Sequence, residues 1–119
     1  SLQWKAEVRT MTENTLTWQQ KLNLMYRIGD VYRSSRRRLD IEAAAGRSIR
    51  TEALRDDLEM KMLMERTLAD CCPYTRLIAT KDFLEIPRKG WYRMYFSQSQ
   101  YYRLKHKAVD EFLHCLDLA

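Results

Sequence analysis

Glycine and proline are scarce in this chain, three and two residues among 119. Tight turns lean on glycine for positive φ and on proline for a preset φ, so an architecture of many short, tightly connected strands is excluded. No run of 18 or more uncharged apolar residues occurs, and a transmembrane helix is not expected. The first residues, where Lys5, Glu7 and Arg9 stand among polar neighbours, lack the apolar core of a signal peptide, so a soluble cytoplasmic protein is expected. Cysteine is confined to Cys71, Cys72 and Cys115, an odd number without the spacing of a disulfide framework. His106 and His114 complete no CxxC or HxxxH pattern with them, so neither a metal nor a cofactor is expected. A Gly-rich phosphate loop and a His-Asp-Ser cluster are also missing, and Glu52, Asp56 and Asp57 read as ordinary first-turn acids. No enzyme is expected.

What is abundant is the material of helices: 45% apolar and 31% charged residues in patterns of three and four. Leu16, Leu22, Met25, Gly29, Tyr32 and Leu39 mark a long amphipathic helix from about Thr15 to Glu42, with Thr12 or Thr15 as its N-cap. Arg33, Arg36, Arg37 and Arg38 fall near its expected C-terminal end, where they would complete the helix dipole or, alternatively, hold a phosphate. A loop is expected around Ala45-Gly46-Arg47-Ser48. Leu54, Leu58, Met60, Leu63, Met64 and Leu68 then predict a second helix from Thr51 to Ala69, its methionines serving a core or a dimer seam. Pro73 suits the first position of a third helix with Leu77, Ile78, Phe83 and Leu84 inward, ending at Pro87. The fold expected is all-α: a long helical hairpin over 1–70, serving homodimerisation, followed by a helix-turn-helix over 71–119.

Charge is segregated along the chain. Residues 51–87 carry five Lys/Arg against eight Asp/Glu, whereas 88–107 carry Arg88, Lys89, Arg93, Arg103, Lys105 and Lys107 and no acid. Such a patch suits phosphate, and equally a solvated basic face. Within it, Lys89–Tyr95 predicts a short helix, and Ser97 followed by Gln100 predicts a capping box opening the last one. At 100° per residue, Tyr101, Leu104, Ala108, Phe112 and Cys115 share one stripe. Gln98, Ser99, Gln100, Tyr102, Arg103 and His106 populate the rest of the first turns, where hydrogen-bonding side chains would read base edges in a major groove. Arg88, Lys89, Arg93, Lys105 and Lys107 would hold the phosphates. For Tyr101 and Trp91 burial is the simpler reading.

The run from Ser97 to Leu113 resembles the C-terminal helix of sigma-factor region four and of the ArpU- and RinA-like late-gene transcription activators of Gram-positive phages and mobile elements. Ser97, Tyr102, Arg103, Leu104, Lys107, Ala108 and Phe112 match the family's Ser-x-x-x-x-Tyr/His-Arg-Leu/Ile-x-x-Lys-Ala-x-x-x-Leu pattern. The resemblance covers about 30 of the 119 residues. Upstream, Trp91-Tyr-Arg-Met-Tyr-Phe is bulkier than the family's Trp-x-x-Ile-Ala. The resemblance implies a phage- or bacterium-encoded regulator that binds double-stranded DNA upstream of a promoter and helps RNA polymerase engage it; a homodimer is expected because two copies of so small a module would match two half-sites. A helical adaptor that binds polymerase or another regulator without reading DNA is the alternative.

Overall fold

The computed structural model describes residues 16–46 and 52–118. The protein is all-α, and no strand occurs among the described residues. Helix α1 spans Trp18–Ala44, α2 spans Glu52–Ala69 and α3 spans Pro73–Ala79. Thr80–Leu84 continues α3 as a π-helical turn, Trp91–Met94 forms a single 3-10 turn, and α4 spans Gln98–Leu118.

Helix α1 begins with a full capping box. The Gln20 N–H donates to Thr17 Oγ1 at 3.1 Å while the Thr17 N–H donates to Gln20 Oε1 at 2.9 Å, satisfying two groups the first turn leaves free. Thr12 and Thr15, the caps expected from sequence, lie outside the described residues. Gly46, at φ 69, takes the left-handed conformation that closes the far end. Pro73 occupies the first turn of α3, where its missing N–H has no helical partner to lose. The α3 helix stops short of the expected boundary at Pro87. The chain is already extended at Glu85, with φ −99 and ψ 167.

Helices α1 and α2 pack against each other. Near their junction Arg38 grips Asp57 bidentately, with Nε to Oδ2 and Nη2 to Oδ1 both at 2.7 Å. Arg33, Arg36, Arg37 and Arg38 do not crown the last turn of α1, which holds no basic residue. Arg38 is tied to α2, Arg36 lies 5.9 Å over the Tyr32 ring, and Arg33 donates to Asp30 and to the Phe83 carbonyl.

One apolar core joins all four helices. Leu24, Met25 and Ile28 of α1 meet Met60, Leu63 and Met64 of α2, with Phe83 and Leu84 from the π turn and Val109, Phe112, Leu113 and Leu116 from α4. This core runs across the boundary expected at residue 70, where Cys71 is itself part of it. Met60 and Met64 are core residues, and Met62 faces outward. On α4 the inward stripe includes Tyr101, Ala108 and Phe112 and extends through Val109, Leu113 and Leu116.

At Gly29 helix α1 meets the π turn so closely that an added Cβ would overlap the backbone oxygen of Phe83. Gly29→Ala would raise helix propensity by about 1 kcal/mol, but overpacking against a backbone atom costs toward the upper end of about 1–3 kcal/mol. We expect a net loss of about 2 kcal/mol, read as a lower urea midpoint.

The hydrogen bonds from Arg38 hold the Asp57 carboxyl below its ordinary range, assisted by Ser35. The resulting stabilisation is complete above the unfolded pKa of about 3.9 and is lost as pH falls through the lowered folded value. Asp57→Asn should cost about 1–2 kcal/mol at pH 7, less than a fully buried pair because the Arg38 guanidinium is half in solvent. Thermal melts of the two proteins should converge in strong acid.

Candidate nucleic-acid interface

The basic segment is organised from beneath by a buried acid. Asp82, in the π turn, accepts from the Trp91 indole Nε1 at 2.7 Å and from the Tyr101 hydroxyl, and pairs with the Lys105 ammonium at 3.2 Å. The Lys105 ammonium also donates to the Tyr101 oxygen at 3.3 Å and lies 5.4 Å over the Phe83 ring. Burial pushes the Tyr101 phenol up and the adjacent Asp82 pushes it further, so the hydroxyl stays protonated and donates. Four polar groups from the π turn, the 3-10 turn and α4 thus satisfy one another out of water.

Aromatic packing completes the anchor. Tyr92 stacks on Tyr101 with centroids 4.0 Å apart and planes 4° from parallel, and Trp91 meets the same ring edge-on at 5.8 Å. Gly90, at φ 73, supplies the left-handed residue that admits the 3-10 turn. Here the structure corrects the expected helix over Lys89–Tyr95. The left-handed glycine and the pull of Asp82 on Trp91 limit it to the one turn Trp91–Met94. The helix packed along α4 is α3, on the other side of the connection.

On this frame α4 starts at a cap, the Gln100 N–H donating to Ser97 Oγ at 3.2 Å. Gln98, Ser99, Gln100 and Arg103 are exposed, and Tyr102 is half exposed with its ring tilted against Tyr101. His106 is also on the surface, but Trp18 of α1 stacks on one face of its ring at 3.6 Å. Of the five cations expected on phosphate, Arg88, Lys89, Arg93 and Lys107 are exposed. Lys105 is corrected to an internal role: its side chain is 14% exposed and its charge neutralises Asp82.

Between Glu85 and Asp110 the sequence has no acid, and the acids bordering this end are engaged. Lys81 pairs with Glu85 at 3.4 Å, Lys21 with Asp110 at 2.6 Å, and Glu111 accepts from the Cys72 N–H at 2.7 Å. The field over the first turns of α4 is therefore positive. Trp18 and Lys21 place the start of α1 beside the middle of α4, at His106 and Asp110. The eight residues Gln98–Lys105 that precede these contacts span about 12 Å.

Sequence reasoning missed Asp82 and the apolar exposure beside it. Asp82 was the lone acid among Leu77, Ile78, Phe83 and Leu84, a signal that could have marked it. Ile86, Met94 and Tyr95 project into solvent from the connection before α4, in a basic stretch where charge alone had drawn notice. Among the described residues no group of three or more His, Cys, Asp or Glu side chains is placed to hold a metal. No helix among them is long and apolar enough to cross a membrane. No protein family, curated protein or solved structure matches the chain.

Removing the hub should loosen the interface before it unfolds the core. Asp82→Ala strands Lys105 and leaves the indole and phenol donors without a partner, a loss on the order of 3–5 kcal/mol. The signature to measure is a red-shifted tryptophan emission with far-ultraviolet helicity retained; an unchanged emission would show that Asp82 does not hold Trp91.

Proposed function

We propose that this chain is a sequence-specific DNA-binding transcriptional regulator that reads the major groove with the first two turns of α4. The observation that carries the proposal is the polarity of that helix. Gln98, Ser99, Gln100, Tyr102 and Arg103 are presented together at its N-terminal end, and its acids, from Asp110 onward, lie in the C-terminal half. A helix about 10–12 Å across enters a major groove about 12 Å wide, and about 12 Å of its length crosses three to four base pairs. Arg103 suits a bidentate contact to guanine and Gln98 or Gln100 one to adenine. Arg88, Lys89, Arg93 and Lys107 would fix the register on phosphates. The resemblance to phage late-gene activators adds the proposal that the bound site is a promoter and that RNA polymerase is the partner. Homodimerisation would set two such helices one helical turn of DNA apart.

Selection of bound duplexes from random DNA tests the proposal, and a palindromic consensus would report a dimer. On a selected site, Arg103→Ala should cost about 1–3 kcal/mol and relax one base position while nonspecific binding is unchanged. Lys89→Ala should weaken both kinds of binding and reduce the salt slope by about 1. A footprint untouched by Arg103→Ala would remove α4 as the reading element.

A further inference from the structure

Four large apolar side chains stand out on the surface between the end of the π turn and the second turn of α4. Met94 is 89% exposed, Ile86 79%, Tyr95 57% and Tyr102 51%. This is the same stretch that carries Arg88, Lys89, Arg93 and Arg103. A solvated basic face has no use for such groups, and contact with base edges and phosphates in an intact duplex would leave Ile86 and Met94 without a role. Three of the four line a groove of about 440 Å³ together with Trp91, Arg88 and Lys89. Glu85 also lines it but is paired with Lys81, so the groove keeps a net positive charge.

We propose that this groove receives an unstacked DNA base together with its flanking phosphate. The volume lies within the range of sites for small organic ligands. A nucleobase offers flat apolar faces, one to stack on Tyr95 and the other to slide against Met94 and Ile86, and its phosphate answers Arg88 and Lys89. Charge complementarity selects this occupant over an apolar peptide, which would leave the two cations unanswered. One side of the site is prebuilt, because Trp91 is fixed by Asp82 at 2.7 Å and holds Tyr95 in a tilted contact with centroids 6.1 Å apart. Met94 precedes Gln98 by four residues, at most about 14 Å of chain, or about four base-pair steps. A strand leaving the duplex under α4 therefore reaches the groove directly.

This inference deepens the DNA-binding reading, and the test separates the two. The full chain is titrated into a fluorescent twelve-residue oligothymidylate and, separately, into a labelled duplex of selected sequence, by anisotropy at 50 mM salt. Wild type is expected to bind both. Tyr95→Ala should weaken the single strand about tenfold, as loss of one stacking aromatic does, and leave the duplex within twofold. Arg103→Ala should do the reverse. Met94→Glu, at a position too exposed to disturb folding, puts a carboxylate at the groove and should abolish single-strand binding while the duplex is still bound. Wild type that binds the duplex but not the oligothymidylate, or single-strand affinity indifferent to both Tyr95→Ala and Met94→Glu, overturns the groove assignment and leaves the α4 reading standing. Single-strand binding with these sensitivities and no selectable duplex supports the groove and overturns the α4 reading.

Discussion

A single buried carboxylate decides the shape of the surface. Asp82, in the π turn, lies where the connection before α4 and α4 itself converge: the connection supplies the Trp91 indole, and α4 supplies the Tyr101 hydroxyl and the Lys105 ammonium. An acid placed there without partners would face a desolvation cost of several kcal/mol. Its three partners come from two elements remote from it in sequence, so satisfying the acid fixes where those elements sit. The 3-10 turn is pinned by this bond and by aromatic stacking, and contributes no fully buried residue of its own.

The π turn makes that hub available. In an α-helix three consecutive residues spread over about 200° and cannot all face one neighbour. Asp82, Phe83 and Leu84 are nevertheless all buried, because the wider turn lies between α1 on one side and α4 and the 3-10 turn on the other. On the α1 side Gly29 allows the Phe83 carbonyl to approach closely, and Arg33, one turn further on, donates to that same carbonyl. Glycine, arginine and the irregular turn form one arrangement: the small residue opens the space, and the guanidinium occupies its edge.

Much of this is local chemistry that the sequence displays. Pro73 and the Ser97–Gln100 pair announce helix starts because the groups that cap a helix are its immediate neighbours. The periodic apolar residues of α1 and α2 locate the core because the 3.6-residue repeat is a property of each helix alone. What sequence reasoning lost was set between elements. Lys105 reads as one more cation in a basic run until the fold brings it to Asp82, 23 positions earlier. His106 reads as a free polar side chain until α1 delivers Trp18 to its face. The segment 89–95 has helical composition, yet a left-handed Gly90 and a tethered indole hold it to one turn. Tertiary partners overrode local propensity at each of these positions.

The distribution of apolar surface bears on partners as well. The apolar stripes of α1 and α2 are covered by the π turn and α4, in a core shared by every helix. On α1 and α2 the larger exposed apolar side chains are Tyr26, Ile41 and Met62, and Ile41 lines a groove of about 670 Å³ with Tyr32, Ala44, Leu68 and Leu84. The two most exposed, Met94 and Ile86, lie instead beside the basic segment. A surface that is both apolar and cationic, with its indole tethered from beneath, is complementary to a ligand that is itself both aromatic and anionic. The nucleic acid strand proposed above has that combination, whereas a second copy of this chain would bring a matching end that is equally cationic.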